Sequence, residues 1–153
     1  MPTLLEACQD YPVISFDAGE TIIAENLKDG QIRVLKSGVV DVTKRGTQIN
    51  RLSSPGSLFG EIGVLLDQSF GASVIAAEPT EVYLVEDGAG FLRDNPDVMH
   101  LVARLLAQRL RNLTDELVEI REQVEAREEG GDYVGQFDSV LQRLVDHHLD
   151  REF

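Results

Sequence analysis

Few side chains in this sequence are placed for covalent chemistry, while one short stretch is placed for binding. His147 and His148 are adjacent, and neighbours on a helix point about 100° apart, so the pair cannot grip one metal ion. Cys8 is the only cysteine, which excludes an internal disulfide and reads as a small, part-buried residue of an N-terminal turn. No serine–histidine–aspartate set, P-loop or dinucleotide fingerprint occurs. The carboxylates Glu20, Glu61 and Asp67 are no more than an acidic chain supplies, so no enzyme is expected. The binding stretch runs from Phe59-Gly60-Glu61-Ile62 to Phe70-Gly71-Ala72-Ser73-Val74. Gly60 lets backbone approach a ligand closely, and Glu61 to Leu66 suits a short helical turn whose free N–H groups face an anion. Glu61 itself cannot bind a phosphate. It can accept hydrogen bonds from a sugar hydroxyl, or it can serve only the local helix end.

The elements that must position this stretch are strands. Gly19, Gly30, Gly38, Gly46 and Gly56 fall eight to eleven residues apart, the spacing of tight turns in a roll or sandwich. Between them lie β-rich runs: Val13–Phe16, Thr21–Ile23, Ile32–Leu35, Val39–Val42 and, further on, Val82–Val85. Several alternate with period two, one face buried and the other wet. Ser54-Pro55-Gly56-Ser57 is a turn by composition.

The texture changes near Phe91. Asn95 is placed as an N-cap, Pro96 as the first helical residue, and Asp97 favours the positive end of the dipole. No glycine or proline interrupts the chain from there to Glu129, which gives a helix of roughly 50 Å. Gly130-Gly131 stops it, and a shorter amphipathic helix follows with Phe137, Val140, Leu141, Leu144, Val145 and His148 on one face. In the long helix Met99, Ala103, Leu106, Leu110, Leu113, Leu117, Ile120 and Val124 follow at gaps of four and three. That is the seam of a coiled coil. A second stripe, Val98, Leu101, Val102 and Leu105, occupies only the first half. Self-association through parallel helices covers the seam; the alternative is a C-terminal helix folded back over it in the same chain.

The formal net charge is -13, which argues against nucleic acid, since phosphate backbones are bound by lysine and arginine. From Thr114 onward twelve acidic residues face four arginines. This acidic run reads as the wet face of the helix or as a docking surface for a basic partner. No apolar run approaches the ~18 residues of a membrane span, and Met1 to Asp10 has no signal-peptide pattern. The expectation is a reduced, cytoplasmic protein.

Several pieces in order then resemble one family. Phe16-Asp17-Ala18-Gly19-Glu20-Thr21-Ile22-Ile23 resembles the opening of cyclic-nucleotide-binding domains. Val34 to Val42 resembles their next strand-turn-strand, and Ile49 to Leu52 with Pro55-Gly56-Ser57-Leu58-Phe59-Gly60-Glu61 resembles the entry to their phosphate-binding cassette. Asn95-Pro96-Asp97 opening a long helix resembles the catabolite-activator branch of bacterial regulators. The resemblance covers about residues 13 to 128 and implies a mainly β, jelly-roll-like fold with flanking helices. It further implies cAMP or cGMP as ligand, with Glu61 taking the ribose 2′-hydroxyl.

The chain departs from that pattern in three places. The family's cassette carries an arginine that pairs with the cyclic phosphate, followed by two small residues, a hydroxyl residue and valine. Gly71, Ala72, Ser73 and Val74 match the followers, and the arginine position falls on Phe70. Ser73 and backbone N–H groups can hold a phosphate only weakly, and neither Gln68 nor Ser69 supplies a positive charge. Arg33, Arg45 and Arg51, on other strands, are the remaining candidates. Asn26 stands where the family has glycine, and asparagine tolerates a left-handed turn best among other residues. Finally, about twenty residues follow Gly131, enough for one helix and no recognition helix, so no DNA-binding output is expected.

The reading divides the chain into a β-roll with a short N-terminal helix (1–94), a long dimerisation helix (95–129), and a linker with a C-terminal helix (130–153). Its function is a homodimeric regulatory sensor whose cyclic-nucleotide binding is weak, unusual or lost. The alternative is a protein-interaction module with a plugged pocket.

Overall fold

Strands form wherever β-branched and apolar residues run between turn residues. In the computed structural model they are β1 (Val13–Phe16), β2 (Thr21–Ile23), β3 (Ile32–Ser37), β4 (Val40–Lys44), β5 (Thr47–Leu52), β6 (Leu58–Phe59), β7 (Ser73–Ala76) and β8 (Thr80–Val85). The helices are α1 (Leu4–Cys8), α2 (Glu61–Leu66), α3 (Gly88–Asp94) and α4 (Pro96–Glu125). The structure describes residues 3–126 and, beyond them, 135–136, 138–140 and 142–143. It falls into two compact units, Met1–Val102 and Ala103–Phe153.

The first unit is the antiparallel β-roll. One sheet has the order β1-β8-β3-β6 and the other β2-β7-β4-β5. The turn from β3 to β4 requires Gly38, which has φ of +100°. A Cβ there would lie 2.7 Å from the Pro79 carbonyl oxygen and strike the buried Thr80 hydroxyl, so the turn is closed to any other residue. Between the sheets a core gathers Ile22, Ile23, Leu35, Val40, Phe59, Phe70, Val74, Ala76 and Val82, all 6% exposed or less. β3 is buried on both faces: Leu35 joins this core, while Ile32 lies beside Gly88 at the start of α3.

Helix α3 contains two glycines, Gly88 and Gly90, which are poor helix formers. It forms because the Asp87 carboxylate accepts from the Gly90 N–H at 2.9 Å, capping the first turn. Gly88 also packs where a Cβ would meet the Gly30 carbonyl oxygen at 2.7 Å. The presence of α3 changes the role of Asn95. Its side-chain amide donates back to the Phe91 carbonyl at 2.8 Å, closing α3, while its own carbonyl accepts from Met99 N–H at 3.0 Å in α4. The first unit runs past this point because Val98 and Val102 are buried (3% and 0% exposed).

In the second unit the later turns of α4 carry their apolar stripe outward. Among the seam residues, Met99, Leu106, Leu117 and Val124 are half-buried, and Ala103, Leu110, Leu113 and Ile120 are exposed. Arg121 bridges Glu125 and Asp138, each at 3.1 Å. Val140 is exposed, whereas Phe137, Leu141, Leu144, Val145, His147 and His148 lie outside the described residues, as do 127–134. Among the described residues no helix is long and apolar enough to cross a membrane.

Cys8 is fully buried, and desolvation pushes its thiol up from 9.0 to about 11. The folded value lies above the unfolded one, so burying the neutral thiol contributes stability that is complete below about pH 9 and lost as pH rises through about 11. Iodoacetamide at pH 8 is therefore expected to label Cys8 only on unfolding, and labelling of the native protein at a free-thiol rate contradicts this.

Candidate ligand-binding cassette

The cassette runs from the end of β6, through α2, to the start of β7. Gly60 caps α2 in the left-handed region, with φ of +89°. A Cβ there would lie 2.7 Å from the Gln31 carbonyl oxygen and 3.2 Å from the Phe70 ring, so glycine allows loop, helix and ring to close on one another. Gly63, one turn later, meets the same ring as closely: its Cβ position is 3.2 Å from Phe70 Cδ1. Glu61 follows Gly60 and is buried, at 4% exposed. Ile62, by contrast, points outward and is 51% exposed.

Phe59 and Phe70 both enter the core between the sheets. Phe70 is 6% exposed, so the ring at this position is a packed interior group. Its backbone is held on both sides. Asn26 N–H donates to the Phe70 carbonyl at 2.9 Å, and Phe70 N–H donates to the Leu27 carbonyl at 2.8 Å. Asn26 makes this pairing from the left-handed region, with φ of 70°. Ser73 completes the zip, because its hydroxyl oxygen accepts from Glu25 N–H at 2.9 Å. Gly71 is exposed and Ala72 half-buried between these two anchor points.

Of the three candidate arginines, Arg33 is the one over Phe70. Its guanidinium carbon sits 5.7 Å from the centre of the Phe70 ring, a cation–π distance. Strand alternation explains the aim: Arg33 and Leu35 share the inner face of β3, and Arg33 stands opposite Phe59 in the β3–β6 register. The same guanidinium donates to both carboxylate oxygens of Asp29, at 3.2 and 2.7 Å, and to Gln31 Oε1 at 2.9 Å. Arg51 instead pairs with Asp41 across β4 and β5, at 2.7 and 2.9 Å, and holds that carboxyl below the usual carboxylate range. Arg45 lies in the β4–β5 turn, where its N–H donates to Glu25 Oε2 at 3.0 Å.

The model of the cyclic nucleotide-binding domain matches residues 13–89, which takes in both sheets and the whole cassette. The chain belongs to the cyclic nucleotide-binding domain family. It is 43% identical over 68 residues to the Cyclic AMP receptor protein of Thermus thermophilus, covering 43% of this chain and 32% of that one. It is 31% identical over 70 residues to the cAMP-dependent protein kinase regulatory subunit of Yarrowia lipolytica, covering 46% of this chain and 18% of that one. The matched stretches are thus a third or less of either relative. The solved Thermus thermophilus catabolite activator protein shares the fold, with a TM-score of 0.65 at 24% identity, over 96% of this chain and 84% of that one.

Sequence reasoning singled out the family's cassette positions but not what Phe70 packs against. The deciding signal was present in β3: Arg33 alternates with Leu35, and Asp29 precedes Arg33 by four residues. Phe70→Ala is expected to destabilise the protein by about 3–5 kcal/mol, the cost of removing a well-packed ring. Urea unfolding measures it, and a loss of less than about 1 kcal/mol would mean that the ring is not a packed group.

Proposed function

We propose that this chain is a non-catalytic regulatory module whose cyclic-nucleotide-type cassette does not take cAMP or cGMP, and which acts as a homodimer through protein contacts. The observation that carries the reading is Phe70, buried at 6% exposed inside the roll, at the position to which the sequence resemblance assigns the family's arginine. A cationic donor strengthens the hold on a cyclic phosphate, and the loss of one charged hydrogen bond costs about 1.5–3 kcal/mol, or ten- to over a hundredfold in affinity. Here the ring also fills space next to Gly60 and Gly63. The hydroxyl oxygen of Ser73 is engaged by Glu25 N–H, and Arg33 is paired with Asp29. The regulatory role rests on the kind of protein the relatives are: a receptor protein for cyclic AMP and a kinase regulatory subunit. The net charge of -13 favours protein over nucleic acid as partner, and a lone buried thiol suits a reducing, cytoplasmic setting.

The dimer reading rests on α4. Leu110, Leu113 and Ile120 are 40%, 48% and 42% exposed along a stripe that continues through Leu106, Leu117 and Val124. Such a seam is buried by a parallel partner helix. Sedimentation of the protein at micromolar concentration is expected to give the mass of two chains, and Leu113→Glu to shift it toward one. A wild-type monomer contradicts the dimer.

Isothermal titration calorimetry with cAMP and with cGMP tests the cassette. No saturable heat is expected from the wild type, and a dissociation constant of about 10 µM or tighter overturns the reading. Phe70→Arg, which removes the ring and returns a guanidinium, is expected to gain affinity over the wild type.

A further inference from the structure

The loop between β2 and β3, residues 24–31, closes on the cassette through a series of contacts. Glu25 N–H meets the Ser73 hydroxyl, residues 26 and 27 pair with the backbone of Phe70, and the Gln31 carbonyl abuts Gly60. Lys28 adds an outer clasp, its ammonium 2.7 Å from Asp67 Oδ1 and 2.8 Å from the Asp67 carbonyl. A more enclosed pair joins the same loop to β3. The Arg33 side chain is 11% exposed and that of Asp29 is 32% exposed. A guanidinium so enclosed needs a partner, since an unpaired charge loses its hydration with nothing in return. Asp29 meets the need in fork-to-fork geometry, which fixes direction as well as charge. Its Oδ1 also accepts from Gln31 N–H at 2.8 Å, so the carboxylate shapes the end of the loop as it binds the arginine.

We infer that Arg33 is the cationic group of this cassette and that Asp29 is its built-in anion, so that the protein's own carboxylate holds the cassette closed where a ligand's negative charge would otherwise do so. The inference rests on the reading that the cassette takes no cyclic nucleotide, and it adds what replaces the ligand. The guanidinium lies over Phe70 and opposite Phe59, so it covers the outer end of the filled interior. The groups that accept from it are the Asp29 carboxylate, its charged partner, and the neutral Gln31 amide oxygen, both supplied by the loop. Arg33 is a positioning residue. It ties the loop to β3 and, through the ring, to α2. The fork and the stacking together explain why lysine would not serve here.

The test is hydrogen–deuterium exchange on the ligand-free full chain, read at the amides of Asn26, Phe70 and residues 61–66. Asp29→Ala is expected to raise exchange there by about tenfold or more, the loss of one charged pair. Acetate at tens of millimolar, which supplies the missing carboxylate, is expected to restore protection, while chloride at equal ionic strength is not. In the double variant Asp29→Ala/Arg33→Met, acetate is expected to do nothing, because its partner is gone. Arg33→Met alone, which keeps an apolar stem over the ring, is expected to match the double variant. Unchanged exchange in Asp29→Ala overturns the inference. Increased exchange without rescue by acetate also overturns it, and leaves Asp29 only its turn-forming bond to Gln31. Calorimetry on the wild type reports separately on nucleotide binding, so failure of that reading and failure of this clamp give different results.

Discussion

An aromatic ring placed between two small sheets has to be covered on every side, and the packing of Phe70 sets the terms for the cassette around it. Gly60 and Gly63 are glycines at points where a Cβ would press on that ring at 3.2 Å. The loop at 26–27 is zipped to the backbone of residue 70, and Asn26 takes a left-handed conformation to do so. The core that includes Phe70 draws on both sheets, through Leu35 and Val82 on one side and Ile22, Ile23, Val40, Val74 and Ala76 on the other. Removing the ring therefore loosens the contact between sheets as well as the cassette.

Charge is arranged around the same constraint. In a water-excluding site, an arginine at position 70 would require an anion, and a ligand would supply it. With an aromatic ring there, the demand for an anion moves to Arg33 on β3, and Asp29 answers it from within the chain. On the proposed reading, regulation then runs through surfaces, chief among them the stripe along α4.

Much of the fold was legible in the sequence, for identifiable reasons. The strands at 13–16 and 21–23 carry clear β-rich runs between turn residues, and they form with the expected bounds. The runs at Ile32 and Val82 extend by two residues, to Ser37 and from Thr80, because ladder pairing reaches past the apolar stretch. Helix α3 was not legible. Its glycines look like turn residues, and only tertiary contacts, with Gly30 and the Asp87 cap, make them helical. Its presence turned the Asn95 side chain from an N-cap into a closing bond on the preceding helix. In the cassette, the positions could be assigned by order and spacing. Which of Arg33, Arg45 and Arg51 reaches Phe70 could not, because that depends on strand register: Arg33 shares the inner face with Leu35, while Arg51 is satisfied by Asp41 across the β4–β5 ladder.

The most direct measurement is a two-dimensional 1H–15N NMR titration of the purified chain with cAMP, following the amides of Glu61, Gly71, Ala72 and Ser73. If Phe70 and the Arg33–Asp29 pair already occupy the cassette, these resonances stay in place up to millimolar nucleotide. A shift of these amides that saturates in the micromolar range would show that the ring gives way to a ligand, and would contradict the account.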